Sequence, residues 1–239
     1  MNVNLMLGDC LERMKEIPGG SVDMILADLP FGTTNCKWDS IIHLESMWRE
    51  LNRITKPAGA ILLNAQTPFD KVLGASNLKM LKYEWIWEKT SATGHLNAKK
   101  MPMKAHENIL VFYKKPPTYN PQKTTGHERK TSNTGKVYSS ECYGRESAKP
   151  DYDSTERYPR SVLVFKSDKQ KNNLHPTQKP EAMSDYMIKT YTNEGDIVCD
   201  ITMGSGTYGK SAVKLKRGFI GIEMDEGYFD IAKKRIEEA

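Results

Sequence analysis

No run of about 18 apolar residues occurs in this chain, which excludes a membrane-spanning helix of the usual kind. Residues 1–7 also lack the basic start and long apolar stretch of a secretory signal. Cysteine is scarce: Cys10, Cys36, Cys142 and Cys199 stand far apart, with no Cys-x-x-Cys pair. Such spacing argues against a zinc site and a disulfide framework and suits a reducing cytoplasm. Histidine adds no ligand set. His43, His95, His106 and His127 have no ligand-like spacing and His175 reads as a turn residue, so no metal is expected. A strong charge of one sign is missing too, the net charge being +5 and the pI about 8.8.

The small positive excess is concentrated. Residues 114–172 hold 13 Lys or Arg against 7 Asp or Glu, so this segment carries +6 and the remaining chain −1. Within it, Tyr119, Tyr138, Tyr143, Tyr152 and Tyr158 are interleaved with Lys and Arg, without clear periodicity. That mixture suits phosphate pairing and base stacking, and equally a solvated charged loop.

The rest reads as α/β. A length of 239 residues fits one domain with an insertion or two small domains, and 38% hydrophobic content at that length can bury a core. Short apolar runs predict strands at 3–7, 22–27, 60–63, 83–89, 107–113, 161–165, 196–200 and 219–223. Helical spacing predicts helices over 10–17, 44–54, 69–76, 180–191, 208–216 and 228–238. Trp48, Trp85 and Trp87 fall on apolar faces and are expected in the core.

Two stretches carry chemistry. Asp28-Leu29-Pro30-Phe31-Gly32 follows the strand at 22–27, at the carboxyl end where open α/β sheets bind ligands. An acid and nearby carbonyls can grip an amine, an aromatic face can stack on a base, and proline stiffens the turn. The same residues would also suit an ordinary strand-to-loop turn. The second stretch is a strand, a glycine-rich turn, a helix and a strand ending in Glu223. Gly204, Gly206 and Gly209 spell G-x-G-x-x-G. A NAD-type reading fails on position, because only 30 residues follow Gly209 and the sheet lies upstream. A circularly permuted sheet resolves this. The strand at 3–7 would then pair with that at 219–223, and 22–27 with 196–200, so that the glycine turn comes beside Asp28.

Asp28-Leu29-Pro30-Phe31 resembles the Asp-Pro-Pro-Tyr signature of amino-group DNA methyltransferases. Asp200-Ile201-Thr202-Met203-Gly204-Ser205-Gly206-Thr207 resembles their S-adenosylmethionine motif, usually Asp-Pro-Phe-x-Gly-Ser-Gly-Thr. His175-Pro176-Thr177-Gln178-Lys179-Pro180 matches the segment before it, and Gly8-Asp9 with Ser21-Val22-Asp23 fits the N-terminal pattern. The motif order is that of the β group, and the resemblance covers residues 1–113 and 174–239.

It implies a Rossmann-like, S-adenosylmethionine-dependent methyltransferase fold with a circularly permuted, mostly parallel sheet. Residues 1–113 and 174–239 would form the catalytic and cofactor-binding domain, and 114–173 an inserted target-recognition region that binds DNA. Asp28, Leu29, Pro30 and Phe31 would be catalytic. Asp9, Cys10, Asp28, Thr177, Lys179, Asp200, Thr202, Gly204, Ser205, Gly206, Thr207 and Glu223 would bind the cofactor. Among these, Asp9 is expected on the adenine amino group, where a helix N-cap explains it as well. Glu223 is expected on the ribose hydroxyls, Gly204 to Gly206 under the methionine end, and Thr177 and Lys179 by its carboxylate. Leu29 keeps the main-chain carbonyl of the proline it replaces, Phe31 the stacking face of tyrosine, and Met203 an apolar wall.

The implied reaction is methyl transfer from S-adenosylmethionine to the N6 amine of an adenine flipped from duplex DNA, with no metal. Asp as the first motif residue favours adenine; N4 of cytosine is the alternative. A DNA-binding relative without catalysis, and methylation of RNA or protein glutamine, are the readings from other classes. No membrane partner is expected, and a homodimer is an open option.

Overall fold

The computed structural model describes residues 2–32, 40–132, 139–140, 144–145, 152–168 and 178–239. Cys36, Cys142, Tyr138, Tyr143, His175, Pro176 and Thr177 lie outside the described residues.

The elements run β1 (Val3–Leu7), α1 (Cys10–Arg13), β2 (Val22–Asp28), α2 (Leu44–Ile54), β3 (Thr55–Ala65), α3 (Phe69–Ala75), β4 (Leu81–Thr93) and β5 (Lys104–Phe112). Then come the short strands β6 (Lys130–Ser132), β7 (Ser139–Ser140), β8 (Gly144–Arg145) and β9 (Tyr152–Ser154), followed by β10 (Val162–Phe165). The chain closes with α4 (Glu181–Tyr191), β11 (Ile197–Asp200), α5 (Thr207–Lys214), β12 (Gly218–Glu223) and α6 (Glu226–Glu237).

Among the described residues, eight strands form one sheet in the order β1-β12-β11-β2-β3-β5-β4-β10. All neighbours are parallel except β3/β5 and β5/β4, so β5 alone runs against the rest. The two pairings expected from sequence are present: Val3 faces Phe219, and Val198 faces Met24.

Strand β2 shows why the sheet is central. Met24, Ile25, Leu26 and Ala27 are all fully buried, as parallel strands covered on both faces must be. Ile25 and Ala27 join a core with Met47, Leu51 and Ile54 of α2 and Phe69 and Leu73 of α3. Met24 and Leu26 point the other way, to Met183 and Ile188 of α4, Ala212 of α5 and Ile236 of α6. Period-two alternation thus builds a three-layer α/β/α sandwich. Trp48, Trp85 and Trp87 are buried as expected.

Two strands outrun the sequence reading. β3 starts at Thr55, because the register jumps from Val22↔Thr55 to Met24↔Ala60 and the irregularity absorbs Lys56-Pro57-Ala58-Gly59. β4 continues past Lys89 to Thr93, although its polar end breaks the apolar pattern.

Residues 121–160 form a second compact unit. Strand β6 pairs antiparallel with β9, Lys123 pairs with Glu156 at 2.8 Å, and Arg129 pairs with Asp153. None of residues 121–131 and 152–160 is buried, and short strands and surface ion pairs hold them. No described helix is long and apolar enough to cross a membrane.

The glycine turn is shaped by packing. A Cβ on Gly209 would stand 2.5 Å from Ile236 Cδ1 and 2.5 Å from the Phe219 ring. The Gly209→Ala variant should therefore lose about 1–3 kcal/mol of stability through overpacking. Urea denaturation checks this, and a wild-type midpoint would show that α5 does not lie so close to α6.

Candidate active site

A cavity of about 440 Å³ opens at the carboxyl ends of the central strands, a size ordinary for a small-molecule site. Asp9, Cys10, Asp28, Leu29, Pro30, Phe31, Lys179, Asp200, Thr202, Gly204, Ser205, Thr207 and Glu223 all line it. Gly206 does not. It takes φ +75° as the N-cap of α5, and a Cβ there would meet Ala232 at 2.8 Å. Its role in the structure is the close approach of α5 and α6.

At one end of the cavity lies an ionic chain. Lys179 Nζ is 2.8 Å from Asp28 Oδ2 and 3.0 Å from Glu107 Oε2. Lys89 Nζ completes it at 2.6 Å from Glu107 Oε1. Lys179 is only 7% exposed, so its charge depends on these partners. Burial alone would lower its pKa; Asp28 and Glu107 outweigh that and raise it. Burial pushes the Glu107 carboxyl up, but Lys179 and Lys89 overcome this and hold it at about 2. Both ends of the Lys179–Glu107 pair are thus kept charged. The Lys179 ammonium also sits 5.7 Å from the Phe31 ring centroid, and Phe31 packs on Phe69 at 5.6 Å.

A second set of bonds ties the glycine turn to the Asp28 strand. Thr202 Oγ1 donates to the Asp28 carbonyl at 3.0 Å, and Asp200 Oδ1 accepts from Thr202 N at 3.1 Å. Burial drives the Asp200 carboxyl well above its usual range, opposed by the Thr202 N–H. Asn64, fully buried on β3, donates to the Ala27 carbonyl at 3.1 Å and to the Tyr208 hydroxyl at 2.6 Å. The β2 end is therefore gripped by the turn after β11 on one side and by β3 on the other.

The third wall is acidic. Glu223 Oε2 accepts from Gly204 N at 2.8 Å and Oε1 from Asp225 N at 2.9 Å. Gly204 takes φ +49°, where a side chain would be strained. Asp9 caps α1, Oδ1 accepting from Leu11 N at 2.8 Å and Glu12 N at 3.2 Å. The N-cap use expected of this residue is therefore present, at the cavity wall. Burial and the neighbouring Asp9 charge push the Cys10 thiol to about 12, so it stays protonated. Burial, with the neighbouring Asp200, also pushes the Cys199 thiol up.

Sequence reasoning missed Glu107, Lys89, Asn64 and Tyr208. A signal existed for the first two, since each is a charge inside or ending an apolar strand run. Asn64 closes such a run as well. Tyr208 carried none, because its position one residue into α5 reads as ordinary helix.

Residues 22–234 match the N6/N4 DNA methylase family. The chain is 28% identical to the type II methyltransferase M.HinfI of Haemophilus influenzae, across 98% of this chain and 68% of that protein. It is 30% identical to the DNA adenine methyltransferase YhdJ of Escherichia coli K12, across 97% of this chain and 82% of the relative. The crystal structure of an M1.HpyAVI–SAM complex superimposes with TM-score 0.67 at 24% identity, over 98% of both chains.

The depressed Glu107 pKa makes a stability prediction. Its ionised form is favoured in the folded chain, so its contribution is present in full above the unfolded pKa of about 4.5 and lost as pH falls toward about 2. Glu107→Gln should be less stable than wild type near neutrality by on the order of 3 kcal/mol. The gap should shrink steadily below about pH 4.5. Urea titrations at a series of pH values measure it, and a gap independent of pH would remove the ionic chain from the account.

Proposed function

The chain belongs to the N6/N4 DNA methylase family, and from that premise we propose that it methylates the N6 amine of an adenine turned out of duplex DNA. The observation that carries this reading is the juxtaposition of two sites in one cavity: the Asp28–Phe31 loop and the glycine turn, joined by the Thr202–Asp28 bond. Group transfer needs two ligands side by side.

The residues present suit S-adenosylmethionine. Carboxylates of Asp9 and Glu223, beside the ends of β1 and β12, can accept from the hydroxyls and amino group of a nucleoside. Gly204 leaves room above the turn, while Met203 and Ile222 supply an apolar floor. Asp9, Cys10, Asp200, Thr202, Gly204, Ser205, Thr207 and Glu223 would hold the cofactor, with Thr177 contributing from its segment. When bound, the cofactor supplies an electrophilic methyl group on a sulfonium.

The chain's own residues prepare the amine. An exocyclic amine is a poor nucleophile because its lone pair is delocalised into the base. Hydrogen bonds from its two N–H groups to the Asp28 carboxylate and the Leu29 carbonyl would favour a pyramidal nitrogen and release that pair. Phe31 offers a stacking face, worth about 1–3 kcal/mol against the unstacking cost of a few kcal/mol. Lys179 acts on this loop as a positioning residue: its ammonium fixes the Asp28 rotamer, and Glu107 fixes Lys179. The site stands ready before the base arrives.

Asp in the first motif position, with the likeness to an adenine methyltransferase, favours N6 of adenine over N4 of cytosine. Residues 114–173 would read the DNA sequence, through the basic and aromatic side chains of that segment. Duplex DNA as partner and two buried, protonated thiols suit a cytoplasmic protein.

Nucleoside mass spectrometry tests the reading on unmethylated genomic DNA incubated with S-adenosylmethionine. We expect N6-methyladenine; N4-methylcytosine would overturn the base assignment, and no methylated nucleoside would overturn the function. The Asp28→Ala variant should lose at least about a hundredfold in turnover while still binding the cofactor. Near-wild-type turnover would remove Asp28 from the mechanism.

A further inference from the structure

The hairpin tip between β4 and β5 has no part in the site described so far. Every residue from 93 to 106 is exposed. Leu96 is 87% exposed, Met101 54% and Met103 40%. Single exposed apolar residues are ordinary, but here the three fall within one short tip. Between Glu88 and Glu107 the chain carries Lys89, Lys99, Lys100 and Lys104 and no acid. Lys89 is taken by Glu107. The other three leave the tip positive as well as apolar.

The tip has a built shape. A turn over His95–Asn97 starts from Gly94 at φ +89°. Main-chain bonds run from Asn97 N to Gly94 O at 3.0 Å, Lys100 N to Asn97 O at 2.8 Å and Met101 N to Asn97 O at 3.0 Å. These bonds fix the turn, which presents Leu96 and Met101 to solvent. Its place is the cavity rim: Thr90, Ser91 and Thr93 line the cavity, and Lys104 Nζ donates to the lining residue Gln66 at 3.3 Å.

We propose that this tip is a wedge for duplex DNA. Leu96 and Met101 enter the base stack where the target base has left, while Lys99 and Lys100 contact the flanking phosphates. Apolar side chains are commonly used to unstack base steps, and an extruded base leaves a gap that water fills poorly. This inference rests on the proposed DNA methylation and assigns to that activity a surface outside residues 114–173.

The test separates the two ideas. Sequencing DNA methylated by the wild type first locates the target base. Duplexes are then made with that base correctly paired or opposite a mismatch. The Leu96→Ser/Met101→Ser variant should lose about tenfold in kcat/KM on the paired duplex and recover most of it on the mismatch, which costs less to open. Its thermal midpoint should match wild type. Equal loss on both duplexes, or no loss on either, overturns the wedge. The Lys99→Ala/Lys100→Ala variant should flatten the slope of log Kd against log salt by about 2. An unchanged slope overturns the phosphate contacts, and this readout needs no turnover. A wild type that methylates no DNA would defeat the proposed function while leaving the salt slope to judge the tip.

Discussion

A buried ammonium must have its counter-charges at hand, and Lys179 finds them on two strands. Asp28 ends β2, Glu107 lies in β5, and Lys179 precedes α4. Three distant parts of the sequence have to meet within 3.0 Å for the charge to be tolerated. Lys89 closes the chain from β4, so negative and positive groups alternate along it. Such a network adds little stability compared with apolar residues of equal volume, while breaking it at one member is expensive. What it provides is geometry. An apolar cluster would fill the same space but could not fix a carboxylate at the mouth of a cavity.

Topology decides where that carboxylate points. After β2 the chain leaves to α2, which packs with one core; after β11 it leaves to α5, which packs with the other. β2 and β11 are neighbours, so their onward connections diverge and leave a crevice between them. The Asp28 loop forms one side and the glycine turn the other. Thr202 bridges the crevice floor through the Asp28 carbonyl, and Asn64 grips Ala27 from β3. The two sides of the crevice are thereby held at a fixed separation by buried polar bonds, which tolerate little displacement.

Most elements were legible because their sequence periods matched their burial. The apolar run of β2 is covered on both faces, and the Met47, Trp48, Leu51 spacing of α2 faces one core. What escaped was set by long-range pairing. The pairing of β3 from Thr55 depends on β2, not on its own polar Lys56-Pro57-Ala58-Gly59. β4 reaches Thr93 because Thr93 still pairs with Lys104 of β5, across an irregularity that takes up Thr90-Ser91. Asp28, Lys179 and Glu223 could be picked out by resemblance, yet Glu107 and Lys89 could not. A charge in an apolar strand becomes intelligible only when its partner is known. The glycines also carry a packing demand that their G-x-G-x-x-G spacing does not announce: Gly206 and Gly209 make room for α6 and Phe219.

The antiparallel strand joins these themes. In a fully parallel sheet every strand-to-strand connection crosses a face and re-enters at the amino end, far from the ligands. Because β5 runs against β3 and β4, the β4–β5 connection is a hairpin instead. β4 runs the same way as β3 and β2, so its turn falls at the end where Asp28 lies. One hairpin can then do two things at different depths. Near its base, Lys89 and Glu107 are almost enclosed, and with Lys179 and Asp28 they make a chain of two positive and two negative charges. At its tip, the lysines have no acids nearby in sequence and the apolar side chains face solvent. Charge that is compensated inside and uncompensated outside gives a rigid centre with a rim attractive to a polyanion. A single reversal of strand direction is sufficient to place both at the same mouth.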